Sequence, residues 1–162
     1  MEYVKGQDLL EYLKQRKYHL SEHHVKQIAL SLLNGISYLH KLGVVHRDLK
    51  LENVIMSDLS DDAEPKIIDF GLTKILTPHQ KTSEPYGTVG YAAPELLSCQ
   101  PYSFNVDVWS LGCICYALIC GSLPFDAGRN EESKRRTIED KLKFKGRVWT
   151  STVSSYFVDL LS

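Results

Sequence analysis

The chain is 162 residues long, 43% hydrophobic and 24% charged, and its 19 Lys and Arg against 20 Asp and Glu give a formal net charge of −1. This is one domain's worth of sequence, long enough to bury a sizeable core. Balanced charge excludes the basic signature of a nucleic-acid partner or an anionic membrane surface, and the apolar run 108–120 falls short of the ~20 residues that span a bilayer.

Met1-Glu2-Tyr3 opens the chain without the basic start or apolar stretch of a targeting signal. Residues 8–16 read as a short helix. Ser21 is the expected N-cap of a longer one, in which Val25, Ile28, Ala29, Leu32, Leu33, Ile36 and Leu39 recur at three- and four-residue steps and form one apolar face. Gly43 ends that helix in a position suited to a left-handed cap, and Val44-Val45 leads into a loop starting at His46. Strands are predicted at Val54–Met56 and at 66–68. The turn between them holds Asp58, Asp61, Asp62 and Glu64, and reads as a solvated hairpin tip rather than a metal-binding loop. Residues 72–93 show no period and contain Pro78, Pro85, Gly87 and Gly90, so they read as a long loop of the kind that is usually functional. The most apolar helix, 105–120, is predicted at the centre of the domain, closed by Gly121 and Pro124. It carries Cys113, Cys115 and Cys120. Together with Cys99 these show no C-x-x-C spacing and no neighbouring His, so they read as buried thiols of a reducing cell interior rather than zinc ligands. Residues 129–143 read as a charged surface helix, and another apolar helix begins near Tyr156.

The chemistry is concentrated in His46-Arg47-Asp48-Leu49-Lys50-Leu51-Glu52-Asn53. Sixteen positions after Asn53 comes Asp69-Phe70-Gly71, followed by Gly87-Thr88 and Ala93-Pro94-Glu95. Any one of these residues alone is more often a cap or a surface group; the joint spacing is what carries weight. The set matches H-R-D-L-x-x-x-N, D-F-G and A-P-E, and the chain resembles the eukaryotic serine/threonine protein kinases, most of all the calcium/calmodulin-dependent group. The resemblance covers the hinge and the C-terminal lobe. It implies a partial protein kinase domain over 1–162, mainly α-helical, with a small β-ribbon at the catalytic loop.

The resemblance also implies roles. Transfer of the γ-phosphate of ATP needs positioning and charge compensation more than covalent chemistry. Asp48 takes the position that receives or orients the proton of the attacking hydroxyl, and Lys50 the one that offsets charge on the transferring phosphate. Asn53 and Asp69 supply oxygen ligands suited to Mg2+. Phe70 packs, and Gly71 is expected to permit the sharp turn that aims Asp69. Lys50 fits the serine/threonine class. Thr88, within a sequence like that class's substrate-binding loop, would bridge Asp48 and Lys50. Leu51 departs from the commoner Pro. Met1 falls at the gatekeeper position, Glu2 and Val4 where backbone groups meet adenine, and Asp8 near the ribose.

Regulation and selectivity follow in the same way. Arg47 is placed to capture an activation-loop phosphate. The residue three before Gly87 is Glu84 instead of the usual Thr, so a carboxylate would stand in for that phosphate; Thr82 and Ser83 remain candidate phosphorylation sites. Asp8 and Glu52 match acidic positions that face an Arg upstream of the target residue, which implies Arg-directed protein substrates, with plain ribose or surface contacts as the other reading. His46 is expected to pack under Phe70, and Asp107 to hold the catalytic-loop backbone. Glu95 has no evident partner. The glycine-rich loop, the lysine and the helix glutamate of the family's N-terminal lobe have no counterpart in the sequence. The expectation is therefore that this polypeptide alone is inactive, exposes apolar surface and self-associates. The alternatives are a truncated, non-catalytic partner-binding module, and a small-molecule phosphotransferase sharing H-x-D-x-x-x-x-N, against which D-F-G and A-P-E count. Family and thiols together imply a cytoplasmic location.

Overall fold

The computed structural model describes residues 6–144 and 146–162. Helix α1 (Leu9–Gln15) starts at Asp8, whose carboxylate accepts a hydrogen bond from the Glu11 amide at 2.9 Å. Ser21 caps α2 (Glu22–Lys41) in the same manner through the His24 amide at 3.3 Å. Both short polar side chains satisfy amides that have no partner within the helix. The buried stripe of α2 is Val25, Ile28, Leu32 and Ile36. Leu33, placed on that face by its spacing, is 45% exposed; one residue beyond Leu32 the helix has turned about 100° away from the core. Gly43 then reverses the chain at φ 76, and a Cβ there would sit 2.7 Å from Leu76 O. Only glycine lets the helix end close on the returning segment.

Two short antiparallel ribbons flank the His46 loop. β1 (Val44–Val45) pairs with β4 (Lys74–Ile75), and β2 (Val54–Met56) pairs with β3 (Pro65–Ile67), with Val54 opposite Ile67. The second strand thus lies one residue earlier than the predicted 66–68. The loop 72–93 is also less irregular than expected, because β4 docks on β1 and the Leu76 amide bonds Gly43 O at 2.8 Å. Two-residue strands are too short to show alternation in sequence.

α3 (Pro94–Leu97) begins on proline, which needs no amide partner in the first turn. α4 (Asn105–Cys120) coincides with the predicted central helix; Leu111, Ile114, Leu118 and Ile119 are buried on several sides of it, in one cluster with residues of α1 and α2. α5 (Asn130–Glu139) is shorter than the predicted 129–143, since Asp140 turns extended at ψ 147. α6 (Arg147–Ser151) was not predicted. It follows Gly146, at φ 103, and buries Trp149 against Tyr116 and Phe144, with ring centroids 4.9 and 5.0 Å away. α7 (Ser155–Leu161) is tied to the start of α2: Glu22 accepts from the Ser154 amide at 2.6 Å and its hydroxyl at 2.7 Å.

All four cysteines are free. Cys113 and Cys115 are buried, and burial pushes each thiol up to about 12. Cys99 breaks the expected pattern: it is exposed, in a left-handed turn at φ 54 after α3. A second apolar cluster, including Val45, Leu76, Ala93, Leu96, Tyr102 and Val106, packs between the catalytic region and the loop 72–93. Among the described residues no helix is long and apolar enough to cross a membrane. Large side chains left in water include Ile75 at 75% and Tyr156 at 83% exposure. The architecture is the helical one, with small ribbons beside the His46 loop, that the sequence implied.

Candidate active site

The His46 loop is fixed from below by Asp107, in the first turn of α4. This carboxylate is 1% exposed. It accepts from the His46 amide and the Arg47 amide, each at 2.9 Å, and from His40 Nε2 at 2.8 Å at the end of α2. Each otherwise stranded amide would carry a desolvation penalty. His46 is fully buried. Its Nδ1 accepts from the Asp48 amide at 3.3 Å, so Nε2 bears the proton and donates to Ile68 O at 3.1 Å. Its ring meets Phe70 edge-on at 5.4 Å, as expected. The loop therefore grips the strand that leads into Asp69.

Backbone strain marks the same place. Arg47 at φ 70 and Asp69 at φ 60 both adopt left-handed conformations, which non-glycine residues keep only where the surroundings over-determine them. This corrects the expected role of Gly71. The turn falls on Asp69 itself, while Gly71 donates its amide to Asp69 Oδ1 at 3.1 Å. A Cβ on Gly71 would lie 3.1 Å from that same oxygen, so glycine serves close approach there.

Above the clamp, four predicted residues join directly. Lys50 Nζ donates to Asp48 Oδ2 at 2.8 Å and to Thr88 Oγ1 at 2.9 Å, and Thr88 donates to Asp48 Oδ1 at 2.6 Å. Asn53 Nδ2 donates to Asp48 O at 2.8 Å and to Oδ2 at 3.2 Å. Asp69 is brought alongside by backbone alone: the Ile68 amide bonds Asn53 O at 2.9 Å, and the Asp69 side chain makes no hydrogen bond with the other four. Gly87, at φ 121, lets the Thr88 segment approach the His46 loop, since a Cβ would fall 2.9 Å from Arg47 O.

A second set of contacts orders the loop 72–93. Arg47, 7% exposed, donates through Nε to Leu72 O at 2.6 Å and through Nη1 to Glu84 Oε2 at 2.6 Å. Its guanidinium lies 4.7 Å from the Tyr86 ring centroid. Lys74 Nζ meets the other oxygen, Glu84 Oε1, at 2.5 Å, and Thr82 Oγ1 at 3.2 Å. Lys74 and then Arg47 hold the Glu84 carboxyl below the usual range. Tyr102 OH donates to Glu84 O at 2.6 Å. No local pattern in the sequence marks Lys74, Tyr102 or His40, whose partners lie 10, 18 and 67 residues away.

Asp8 spends one oxygen on capping α1, and α1 packs on the 3-10 turn Leu51–Asn53, which carries an exposed Glu52. Ser83 is exposed and its side chain makes no hydrogen bond among the described residues. Met1, Glu2 and Val4 lie outside the described residues. Glu95 has no ion-pair partner among the described residues and borders a groove of about 800 Å³ lined by Trp109, Tyr116, Phe125 and Phe144. A smaller hollow of about 270 Å³ lies under the acidic hairpin. Neither contains Asp48, Lys50, Asn53 or Asp69, so the site is defined by convergent side chains rather than by a cavity.

A family profile described as protein kinase domain matches residues 1–162. The chain is similar to a CDPK-related protein kinase of Daucus carota, with 37% identity over 95% of this chain and 25% of that protein. It is similar to serine/threonine-protein kinase ppk25 of Schizosaccharomyces pombe, with 44% identity over 77% of this chain and 29% of that protein. Against the SNF1-related protein kinase catalytic subunit alpha KIN12 of Arabidopsis thaliana, identity is 42% over 78% of this chain and 25% of that protein. The chain thus spans between a quarter and a third of the length of these relatives.

Proposed function

This chain belongs to the protein kinase domain family, and we propose on that premise that it forms the phosphoryl-transfer centre of a serine/threonine kinase using ATP and magnesium. The observation that carries this reading is the closed triangle of Asp48, Lys50 and Thr88. A non-catalytic partner-binding module has no use for so many hydrogen bonds centred on one carboxylate.

The roles follow from which valences remain free. Asp48 is held by Lys50, Thr88 and Asn53, yet each carboxylate oxygen has more than one lone pair. A substrate serine or threonine hydroxyl donates to Asp48, which aligns its oxygen for in-line attack on the terminal phosphorus of ATP and receives the proton. Lys50 has three N–H groups, of which two are engaged; the third points its charge at the transferring phosphate. Asn53 donates through Nδ2, which leaves its Oδ1 without a donor among the described residues. One oxygen of Asp69 is likewise free of Gly71. Two hard oxygens fit magnesium, which takes one or two protein ligands and completes its shell with phosphate and water; among the described residues no cluster of three His, Cys, Asp or Glu competes for that role. Magnesium held by Asn53 and Asp69 would supply charge compensation on the phosphates.

Glu84 replaces a phosphate in ordering the activation loop, with Arg47 and Lys74 as its cations. Asp8 and Glu52, on adjacent elements, select an upstream arginine in protein substrates, and the free thiols support a reducing, cytoplasmic location. The test is labelled-phosphate transfer from ATP to serine and threonine peptide arrays by the protein that carries this chain. Transfer should vanish in Asp48→Asn, with a basic upstream preference in the parent. Retained turnover in Asp48→Asn would sink the catalytic assignment, and a flat array would remove the arginine preference alone.

A further inference from the structure

The phosphoryl-transfer centre makes no use of the acidic hairpin between β2 and β3. Three of its carboxylates, Asp61, Asp62 and Glu64, are exposed and line the hollow of about 270 Å³ whose opposite wall is α2. Arg16 takes one oxygen of Asp61 at 2.9 Å. Asp62 and Glu64 have no side-chain hydrogen bond or ion pair among the described residues. The apolar part of the lining is Ile28, 1% exposed, with Ala63 and Pro65. Among the described residues no group of three His, Cys, Asp or Glu suits a metal ion.

His24, on the α2 wall, adds an observation independent of the carboxylates. It is 8% exposed, and its Nε2 is engaged. Tyr12 gives its single hydroxyl proton to Ser60 O at 2.7 Å, so it accepts from His24 Nε2 at 3.1 Å. Nδ1 is then a bare acceptor. It meets no donor among the described residues, and the ring lines the hollow, so that is where a donor can reach it. Burial lowers the His24 pKa, which keeps this lone pair free at neutral pH. An acceptor this far from bulk water gains by being given a partner.

We propose that the hollow is a docking seat for one arginine side chain, carried by a basic segment of a partner protein and separate from the phosphoryl-transfer centre. The stem of the arginine packs on Ile28, Ala63 and Pro65, as long basic side chains do when they cross apolar surface. The guanidinium donates to Asp62, Glu64 and His24 Nδ1. The charged groups of the hairpin and the buried nitrogen are all acceptors, so the matching ligand brings donors and positive charge. A planar fork of donors can serve a ring nitrogen and a carboxylate together, which a compact ammonium does less well. The volume suits a single side chain, being smaller than the roughly 300–1,000 Å³ of pockets that enclose whole small molecules. Nothing in this seat requires that the chain transfer phosphate.

The test is NMR titration of the full chain, 15N-labelled at histidine, with a capped Gly-Arg-Gly peptide and with the same peptide carrying citrulline or lysine in place of arginine. The arginine probe should move the His24 Nδ1 resonance toward the hydrogen-bonded range and leave that of the exposed His79 in place. Citrulline, which keeps the shape without the charge, should leave Nδ1 unmoved, and lysine should bind about threefold or more weaker. Asp62→Asn combined with Glu64→Gln should weaken the arginine probe about three- to tenfold. Asp58→Asn, in the same hairpin but outside the hollow, should not. Ser31→Tyr, at an exposed position of α2 that lines the hollow, should plug it and abolish the shift. An unmoved Nδ1 overturns the proposal, as does citrulline or lysine acting equally well. Binding that survives Ser31→Tyr also overturns it, reducing the effect to diffuse attraction by the hairpin. No turnover is measured, so the outcome stands apart from the catalytic assignment.

Discussion

Asp107 offers the sharpest physical test of how the catalytic loop is held. Asp107→Ala removes the acceptor of two buried backbone amides, His46 and Arg47, and of His40 Nε2. Each abandoned amide costs about 1–3 kcal/mol and the histidine bond about 1 kcal/mol, so the loss should be about 3–7 kcal/mol. Domains of this size hold only about 5–15 kcal/mol in total, which makes Asp107→Asn the necessary companion. It keeps one oxygen for one amide but turns a donor toward the other, and should lose roughly half as much. Urea unfolding followed by the fluorescence of Trp109 and Trp149 gives the midpoint, and an unchanged slope shows that a contact, rather than compactness, was altered. Hydrogen exchange supplies a local readout, because the His46 and Arg47 amides should lose protection ahead of the α4 core. A loss below about 1 kcal/mol in Asp107→Ala would refute the reasoning, since it would mean that those amides find other partners at little cost.

Three further perturbations separate the other supports. Glu84→Ala removes the shared anion of Arg47 and Lys74, and in a complete version of the enzyme should lower phosphate transfer several-fold or more while leaving the KM for ATP nearly unchanged; unaltered turnover there would dispose of its role as a phosphate substitute. Gly87→Ala forces a side chain into φ 121 with a Cβ 2.9 Å from Arg47 O, which should destabilise by about 1–3 kcal/mol, and an unshifted melting curve would contradict it. Glu22 is held at about 2, below its ordinary 4.5, by Lys26 first and by Ser154. A depressed carboxyl contributes stability that is present above the unfolded value and fades as pH falls through the folded one. The wild-type chain should therefore lose stability more steeply than Glu22→Gln between about pH 4.5 and 2, and parallel acid-unfolding curves would count against the Glu22–Ser154 tie.

The sequence carried the site more fully than the supports around it, for a physical reason. Asp48, Lys50 and Asn53 lie within one short loop, so their spacing is visible as a motif. The α2 and α4 helices were legible because a 3.6-residue pattern and a nearly continuous apolar run are local signals. What escaped detection depends on partners distant in sequence. Lys74 meets Glu84 because β4 docks on β1, and Tyr102 meets Thr82 across an isolated bridge. α6 was missed because its reason for being helical is one tryptophan finding Tyr116 and Phe144, which no local pattern announces. The misread role of Gly71 has the same origin. Sequence shows that a glycine is present, and only the backbone shows that Asp69 takes the left-handed turn.

Arg47 is where the two kinds of restraint meet, and their unequal strength sets an order. Its backbone is held in the dry interior by Asp107, while its guanidinium is held near the surface by Glu84, whose side chain is 45% exposed. Salt and water weaken the second link, and burial protects the first. The Asp48 carboxylate follows the backbone, since Asp48 is the next residue along; the loop 72–93 follows the guanidinium through Leu72 and Glu84. Cutting the Glu84 end should loosen the activation segment and leave the Asp48 loop folded, whereas cutting the Asp107 end should release both. The asymmetry means that the Asp48 loop is built in with the core, and that what remains adjustable by charge is the segment carrying Thr82 and Thr88.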